Sequence, residues 1–143
     1  MPIISYADAT HLARGHARVL IAGGPGTGKT TLADAIAQPL TVHTDDLLDV
    51  PWSEQRGAVT AWAAANRDAA AWLIEGVTIA RCLRHGELLD QGPTLVLYLT
   101  AVHRALSPAA RRLGESVDRW MDMAAENGAT IHRVEPHRAP VSR

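Results

Sequence analysis

The chain has 143 residues, of which 47% are hydrophobic and 20% charged, and its formal net charge is −1. This size predicts one domain with a real core and room for only a small lid. The near-neutral charge gives no global sign of nucleic-acid affinity, although it does not exclude a local basic patch. Cys82 is the only cysteine, and no apolar run approaches the roughly 20 residues of a membrane span. We therefore expect a soluble cytoplasmic protein without a membrane partner.

The first predicted elements surround a glycine-rich stretch. Residues 1–15 predict a short helix outside the sheet, and Arg18–Ala22 is a β-branched, apolar run that predicts the first strand. Gly23–Thr30 fits the pattern G-x-x-x-x-G-K-[ST]. Residues 29–38 have helical spacing, and Pro39 is expected to end that helix. Strand, glycine-rich loop and helix follow one another in the order that a phosphate-binding loop requires.

The residue types of this loop suit a triphosphate. Glycines leave the backbone N–H groups open to phosphate oxygens. Lys29 is expected to reach the β- and γ-phosphates, Thr30 to ligate Mg²⁺ and Thr31 to hold the α-phosphate. A glycine-rich turn without a ligand is the alternative. The predicted nucleotide-binding residues are Gly24, Pro25, Gly26, Thr27, Gly28, Lys29, Thr30 and Thr31.

A second short strand, residues 40–43, is followed by two acids, Asp45 and Asp46. In open α/β sheets the ligand lies beyond the carboxyl ends of the strands, so both acids should face the crevice of the phosphate loop. We predict that Asp45 is the base for an attacking hydroxyl and helps to hold Mg²⁺. Asp46 is predicted to contact the substrate, with helix capping before Leu47 as the alternative.

The next helix is predicted over residues 54–71, with Ser53 as its N-cap. Trp52 and Arg56 follow the acid pair closely enough to line an acceptor pocket with an aromatic wall and a cation. The alternative is that Trp52 closes the core and that Arg56 is solvated.

A third strand, residues 72–77, carries Glu75 near its end. Beside a phosphate loop, an acid at this place is expected to hold Mg²⁺ through water or to orient the acceptor. A short helix over residues 79–84 follows, and its Arg81 is predicted to bind substrate. A solvated position on the helix surface is the alternative for Arg81.

The fourth strand, residues 94–100, is continuously apolar, as in a buried parallel strand. Residues 101–114 are basic and are predicted to form a small helical lid. Arginines that close over the phosphates neutralise charge on the transferred group, and we favour Arg111 or Arg112 over Arg104 as this catalytic cation. Solvated helix charges are the alternative.

The C-terminal part completes the sheet. Ser107-Pro108 is a favourable helix start, and Asn127-Gly128 is a favourable helix end. Residues 130–134 predict a fifth strand, and residues 135–143 an irregular tail. No two histidines have the spacing of metal ligands, and one cysteine cannot build a zinc cluster.

Four stretches in this order and spacing resemble the small phosphate-loop kinases, particularly the uridine-kinase-like branch. They are the phosphate loop, His43–Leu48, Leu73–Gly76 and Arg111–Glu115. Similar Asp-containing turns after the second strand occur in polynucleotide kinases, zeta toxins and chloramphenicol phosphotransferase. The resemblance covers Arg18 to Trp120.

The resemblance implies a three-layer α/β fold with a five-stranded parallel sheet in the order 2-3-1-4-5. It also implies ATP or GTP with Mg²⁺ as donor, and Asp45 in the position of the general base. The predicted function is transfer of a γ-phosphoryl group to a hydroxyl of a nucleoside, nucleotide or similar small molecule. One alternative is a polynucleotide or modified-base (hydroxymethylpyrimidine) DNA kinase. The other is an NTP-hydrolysing switch or ATPase subunit.

Overall fold

The computed structural model describes residues 1–46, 50–90 and 93–136. Within them, strands and helices alternate along most of the chain. The strands are β1 (Ile3–Ile4), β2 (Arg18–Gly23), β3 (Thr41–His43), β4 (Trp72–Glu75), β5 (Thr94–Leu99) and β6 (Ile131–Val134). The helices are α1 (Tyr6–Arg14), α2 (Lys29–Ile36), α3 (Trp52–Ala65), α4 (Thr78–Arg84) and α5 (Pro108–Glu126), and a 3₁₀ turn covers Thr44–Asp46.

All strand pairs of the sheet are parallel, and the order is β1-β6-β5-β2-β4-β3. Strand β2 lies near the middle, where Ile21 is in register with Glu75 on one side and Leu97 on the other. The apolar runs of β2 and β5 are buried on both faces, which is what a parallel sheet covered by helices requires. This arrangement brings the carboxyl ends of β2, β3 and β4 to one edge.

The predicted count of five strands is wrong, because β1 adds a sixth strand at the edge beyond β6. The full order therefore differs from 2-3-1-4-5 by this one strand, and the five predicted strands follow that order as β3-β4-β2-β5-β6. Ile3 and Ile4 pair with β6, and the Glu135 N–H donates to the carbonyl of Ile4. Within the predicted range 1–15, the observed helix is α1 alone, and it begins after its N-cap, Ser5. Two residues are too few to show the alternation or apolar run by which a strand is predicted.

Helices cover both faces of the sheet and give three layers. On one face α1 and α2 place Ala9, Leu32 and Ile36 against the inner strands. On the other face α3, α4 and α5 bury a second cluster, which includes Val59 and Met121. Within the described ranges no helix combines the length and hydropathy needed to cross a bilayer.

Several predicted helix ends lie a few residues away from the observed ones. Helix α2 ends at Ile36 because Ala37 adopts a left-handed conformation with φ 57°. Helix α3 begins one residue before the predicted Ser53 cap, with Pro51 at its N-cap. The predicted start of α5 is confirmed, since the Ser107 hydroxyl accepts from the N–H of Ala110 at 3.1 Å. Its predicted end is confirmed too, with Asn127 at the C-cap.

Candidate active site

The glycine-rich loop links the end of β2 to the start of α2, in the predicted order. Gly26 and Gly28 have φ values of 74° and 87°, a region that residues with a Cβ adopt at a cost. Since α2 begins at Lys29, its unpaired N–H groups and positive dipole end face the loop. Together these features make an anion-binding site of the kind found at helix N-termini.

Lys29 is held inside this loop. Its side chain is buried, and its ammonium donates to the carbonyl of Gly24 at 2.7 Å. Burial lowers the pKa of Lys29, the carboxylates of Glu75 and Asp45 raise that pKa, and Arg104 lowers it. A phosphate in the loop would add negative charge beside the ammonium, and would therefore stabilise its charged form.

Glu75 lies at the centre of a hydrogen-bonded chain that joins three elements. It is 1% exposed, at the end of β4. Its Oε1 atom accepts from the Thr30 hydroxyl at 3.2 Å, and it lies 2.8 Å from Nδ1 of His43. His43 and Glu75 are cross-strand partners in the register of β3 and β4. Two of the predicted metal ligands, Thr30 and Glu75, are therefore in contact, and His43 joins them.

A glycine fixes the turn that carries Asp45. Gly76 has φ 150°, and a Cβ added there would lie 1.6 Å from Oγ1 of the buried Thr44. The end of β4 therefore packs directly on the Thr44–Asp46 turn. Asp45 and Asp46 are both exposed at this edge of the sheet. Residues 47–49, on which the capping alternative for Asp46 depends, lie outside the described residues.

The predicted lid divides into two parts. Residues 101–107, which we call the covering segment, are irregular, and the rest belongs to α5. The N–H of His103 donates to the carbonyl of Gly26 at 2.9 Å. A Cβ built on Gly26 would lie 3.2 Å from both Cγ and Nε of Arg104. Arg104 therefore lies directly against the phosphate loop.

Arg111 and Arg112 lie at the start of α5 and are both exposed. Arg111 borders a cleft of about 220 Å³ that is also lined by Gly24 and Pro25. Successive helix residues point about 100° apart, so Arg112 is directed away from the position that Arg111 occupies. The two arginines are thus not equivalent, and Arg104 packs against Gly26 of the loop.

Three of the predicted substrate-binding residues, Trp52, Arg56 and Arg81, form with Glu87 what we call the acceptor-side cluster. The guanidinium of Arg81 lies 4.6 Å from the Trp52 ring centroid, and it donates to the Trp52 carbonyl at 2.8 Å. Arg56 pairs with Glu87 at 3.1 Å. Trp52 is 43% exposed, so the alternative that it closes the core is wrong.

A further hydrogen bond places this cluster near the loop. The Thr78 hydroxyl donates to the Gln55 amide oxygen at 2.8 Å, which joins the first turns of α3 and α4. Thr78 is buried and follows Glu75 by three residues. The exposed faces of Trp52 and Arg81 therefore belong to the edge at which β4 ends.

A second cavity borders the end of the loop and the start of α2. It measures about 160 Å³ and is bordered by Gly28 and Thr31, and by the side chains of Tyr6 and His103. A triphosphate whose α-phosphate lies at Thr31 would direct its nucleoside portion toward this cavity. The cavity was not predicted from the sequence, because α1 was expected to lie away from the sheet.

Three residues at the site were not assigned a role from the sequence: Tyr6, His43 and His103. His43 stands two positions before Asp45, but its partner Glu75 is 32 residues away in the chain. Only the pairing of β3 with β4 brings them together, and the residues around His43 do not indicate which residue of a strand so far along the chain it will face.

The comparisons with known proteins bear on the first half of the chain. A family model described as "ATPase family associated with various cellular activities (AAA)" matches residues 19–70, less than half of the chain. The matched segment includes the phosphate loop and extends through α3. No curated protein and no solved structure matches the chain. The similarity supports a P-loop fold that binds a nucleotide.

Proposed function

We propose that this protein is a P-loop kinase that transfers the γ-phosphoryl group of ATP or GTP to a hydroxyl of a small molecule, most readily a nucleoside or nucleotide. The observation that carries the proposal is the position of Asp45. The Thr44–Asp46 turn that carries it packs on Gly76 at the end of β4, and from this turn the Asp45 carboxylate raises the pKa of the buried Lys29. A hydroxyl beside Asp45 would therefore face a phosphoryl group held by Lys29.

In this proposal each group has one task. Lys29 and the loop N–H groups hold the phosphates in line for transfer. Asp45 accepts the proton of the attacking hydroxyl. Arg104, against the loop, balances charge on the transferring group, a task for which the sequence favoured Arg111 or Arg112. Arg111 stays a second candidate because it borders the cleft beside Pro25.

The residues present fit a magnesium ion. Mg²⁺ binds oxygen ligands, keeps several waters and needs only one or two protein groups besides the phosphates. The Thr30 hydroxyl and the Glu75 carboxylate supply such oxygens 3.2 Å apart, with Asp45 at the same edge. The part of the chain that the structure describes contains no group of three or more His, Cys, Asp or Glu residues arranged to hold a metal by themselves. When bound, Mg²⁺ would neutralise phosphate charge.

The acceptor-side cluster bears on the acceptor. An exposed indole and a stacked guanidinium suit a flat, electron-rich ring, which a nucleoside provides and a simple sugar does not. The same surface is open to solvent, so a nucleotide within a polynucleotide, including a hydroxymethylated base, is the second acceptor class that we propose to test.

An ATPase without an acceptor is the competing function, and the family match over residues 19–70 favours it. Water would then be the nucleophile. Strand β4 ends in a single acid, Glu75, followed by Gly76, whereas motor ATPases usually place consecutive acids at such a strand end. This difference is our reason for preferring the kinase.

Labelled ATP turnover with Mg²⁺ tests the two functions against each other. Nucleosides, nucleotides, sugars, 5′-hydroxyl DNA and hydroxymethylated DNA would be offered in turn, with D45N and the matched control D68N, which changes an exposed acid in the turn after α3. The kinase is supported when one acceptor becomes labelled and D45N, but not D68N, abolishes the labelling. Acceptor-independent hydrolysis that D45N leaves unchanged would instead establish the ATPase.

A further inference from the structure

We infer that His43 is a positioning residue for the magnesium site, acting through Glu75; the inference rests on the proposed nucleotide-binding function. No role follows for His43 from the sequence pattern. The contact that assigns one is the 2.8 Å separation between its Nδ1 atom and Oε1 of Glu75.

The direction of this hydrogen bond follows from the chemistry of its partner. An ionised carboxylate only accepts hydrogen bonds, so Nδ1 of His43 carries the proton and donates it. The Thr30 hydroxyl donates to the same Oε1 atom at 3.2 Å. Both bonds terminate on the same oxygen of Glu75, so neither occupies its second oxygen, which would accept from a water bound to Mg²⁺.

The arrangement also orients Thr30. Because the Thr30 proton is directed at Glu75, the lone pairs of the hydroxyl point elsewhere, and a lone pair is what a cation requires. Glu75 can hold this orientation only if its own carboxylate is fixed. Glu75 is 1% exposed, and His43 supplies a second anchor for its carboxylate from the neighbouring strand.

Groups behind the direct ligands of a metal fix ligand orientation, and their loss typically costs about 10- to 100-fold in metal affinity or activity. His43 occupies such a place, one hydrogen bond behind Glu75. Its side chain is 26% exposed on the short strand β3, so a change there removes little core packing.

The test compares ATP binding by calorimetry in Mg²⁺ and in EDTA for the full-length chain. H43L removes the donor, whereas H43N places an amide N–H near the position of Nδ1. We expect H43L to lower affinity about tenfold in Mg²⁺ and to leave affinity in EDTA unchanged, and we expect H43N to restore the Mg²⁺ effect. In an E75Q background, H43L should cause no further loss in the Mg²⁺-dependent part of the affinity for ATP.

Three results would overturn the inference alone, provided that Mg²⁺ still strengthens ATP binding by the unsubstituted chain. The first is H43L equal to the unsubstituted chain, and the second is H43N as impaired as H43L. An equal loss in Mg²⁺ and EDTA would show a general structural role and would overturn it too. If the unsubstituted chain does not bind ATP, the proposed function fails together with the inference. If H43L does not fold, H43Q replaces it, since glutamine directs its amide toward the position of Nε2.

Discussion

The phosphate loop and the acceptor-side cluster lie at the same edge of the sheet, yet they hold their cations differently. In the loop, the Lys29 ammonium is buried and bonded to a backbone carbonyl, that of Gly24. In the cluster, Arg81 and Arg56 are partly exposed, and each is paired with a side chain or ring from another element. The cation of the loop is therefore enclosed where a phosphate would bind, whereas the cations of the acceptor-side cluster are already paired with neighbouring side chains.

The difference teaches which contacts each site can make with a ligand. A phosphate entering the loop replaces one backbone carbonyl as the partner of Lys29, and backbone N–H groups are already in place. An acceptor has to compete with Glu87 for Arg56, and it shares Arg81 with Trp52. We therefore expect changes in the loop to have much larger effects than changes in the acceptor-side cluster.

The largest expected effect is that of Lys29, the only lysine in the chain. K29M removes the buried cation, and we expect nucleotide turnover to fall by at least about 100-fold, as when a preorganised charge is lost from an active site. K29R keeps the charge and serves as the control for folding. Circular dichroism and turnover would be measured on both. If K29M keeps its turnover within about threefold of that of the unsubstituted chain, the contrast between the loop and the acceptor-side cluster is wrong, because the loop would then not depend on its cation.

Burial also makes the pKa of Lys29 lower than its ordinary 10.5. The neutral amine therefore becomes available at a lower pH than in a solvated lysine, and a small uncharged amine-reactive reagent should acylate it in that range. The labelling should rise with pH in a range below that of a free lysine, and excess ATP should suppress it. Mass spectrometry of the single lysine-containing peptide measures both effects.

The second effect concerns the junction that holds Asp45 beside the loop. G76A places a Cβ 1.6 Å from Oγ1 of Thr44, at a φ of 150°. We expect the free energy of unfolding to fall by about 3 kcal/mol, the upper range for overpacking a buried site. G57A is the matched control, since a Cβ at Gly57 in α3 meets nothing within 4 Å. That substitution should stabilise the helix by about 0.5–1 kcal/mol. Urea denaturation compares the two, and equal stabilities would contradict the packing argument.

The contrast between the sites also explains what could be predicted from the sequence. The phosphate loop is contiguous, and each of its residues has a local reason, so the strand, the loop and the helix start at Lys29 were predicted together. Thr30 and Glu75 were both assigned to the metal, because each carries an oxygen at a predicted strand or helix end. The α/β class followed from apolar runs that alternate with helical spacing.

What was missed depends on contacts between distant segments. His43 meets Glu75 through strand register, and Arg104 meets Gly26 because the covering segment folds back over the loop. Charge and spacing favoured Arg111 or Arg112 over Arg104, since helical arginines form a recognisable pattern and an arginine in an irregular segment does not. Strand β1 was missed because two residues carry too little pattern.

The third effect separates the arginines. R104A removes the guanidinium that lies against Gly26, and we expect kcat/KM for the nucleotide to fall about tenfold, the cost of one charge-assisted hydrogen bond. R112A changes an exposed residue of α5, and we expect less than about a twofold effect, as for most exposed charges. R111A would show whether the cleft beside Pro25 takes part. If R112A were the more damaging variant, the lid arginine would belong to α5 after all.

The smallest effect is expected at Trp52. It tests most directly whether the acceptor-side cluster acts on the acceptor and not on the nucleotide. W52A removes an aromatic ring that is 43% exposed, so stability should change by less than about 1 kcal/mol. The KM for a nucleoside acceptor should rise about five- to tenfold, the worth of one stacking contact, while kcat and the KM for ATP stay unchanged. W52F keeps a ring over Arg81 and should retain most of the affinity. A fall in kcat without a change in acceptor KM would contradict this, and would place Trp52 with the catalytic groups of the loop rather than with the surface that selects the acceptor.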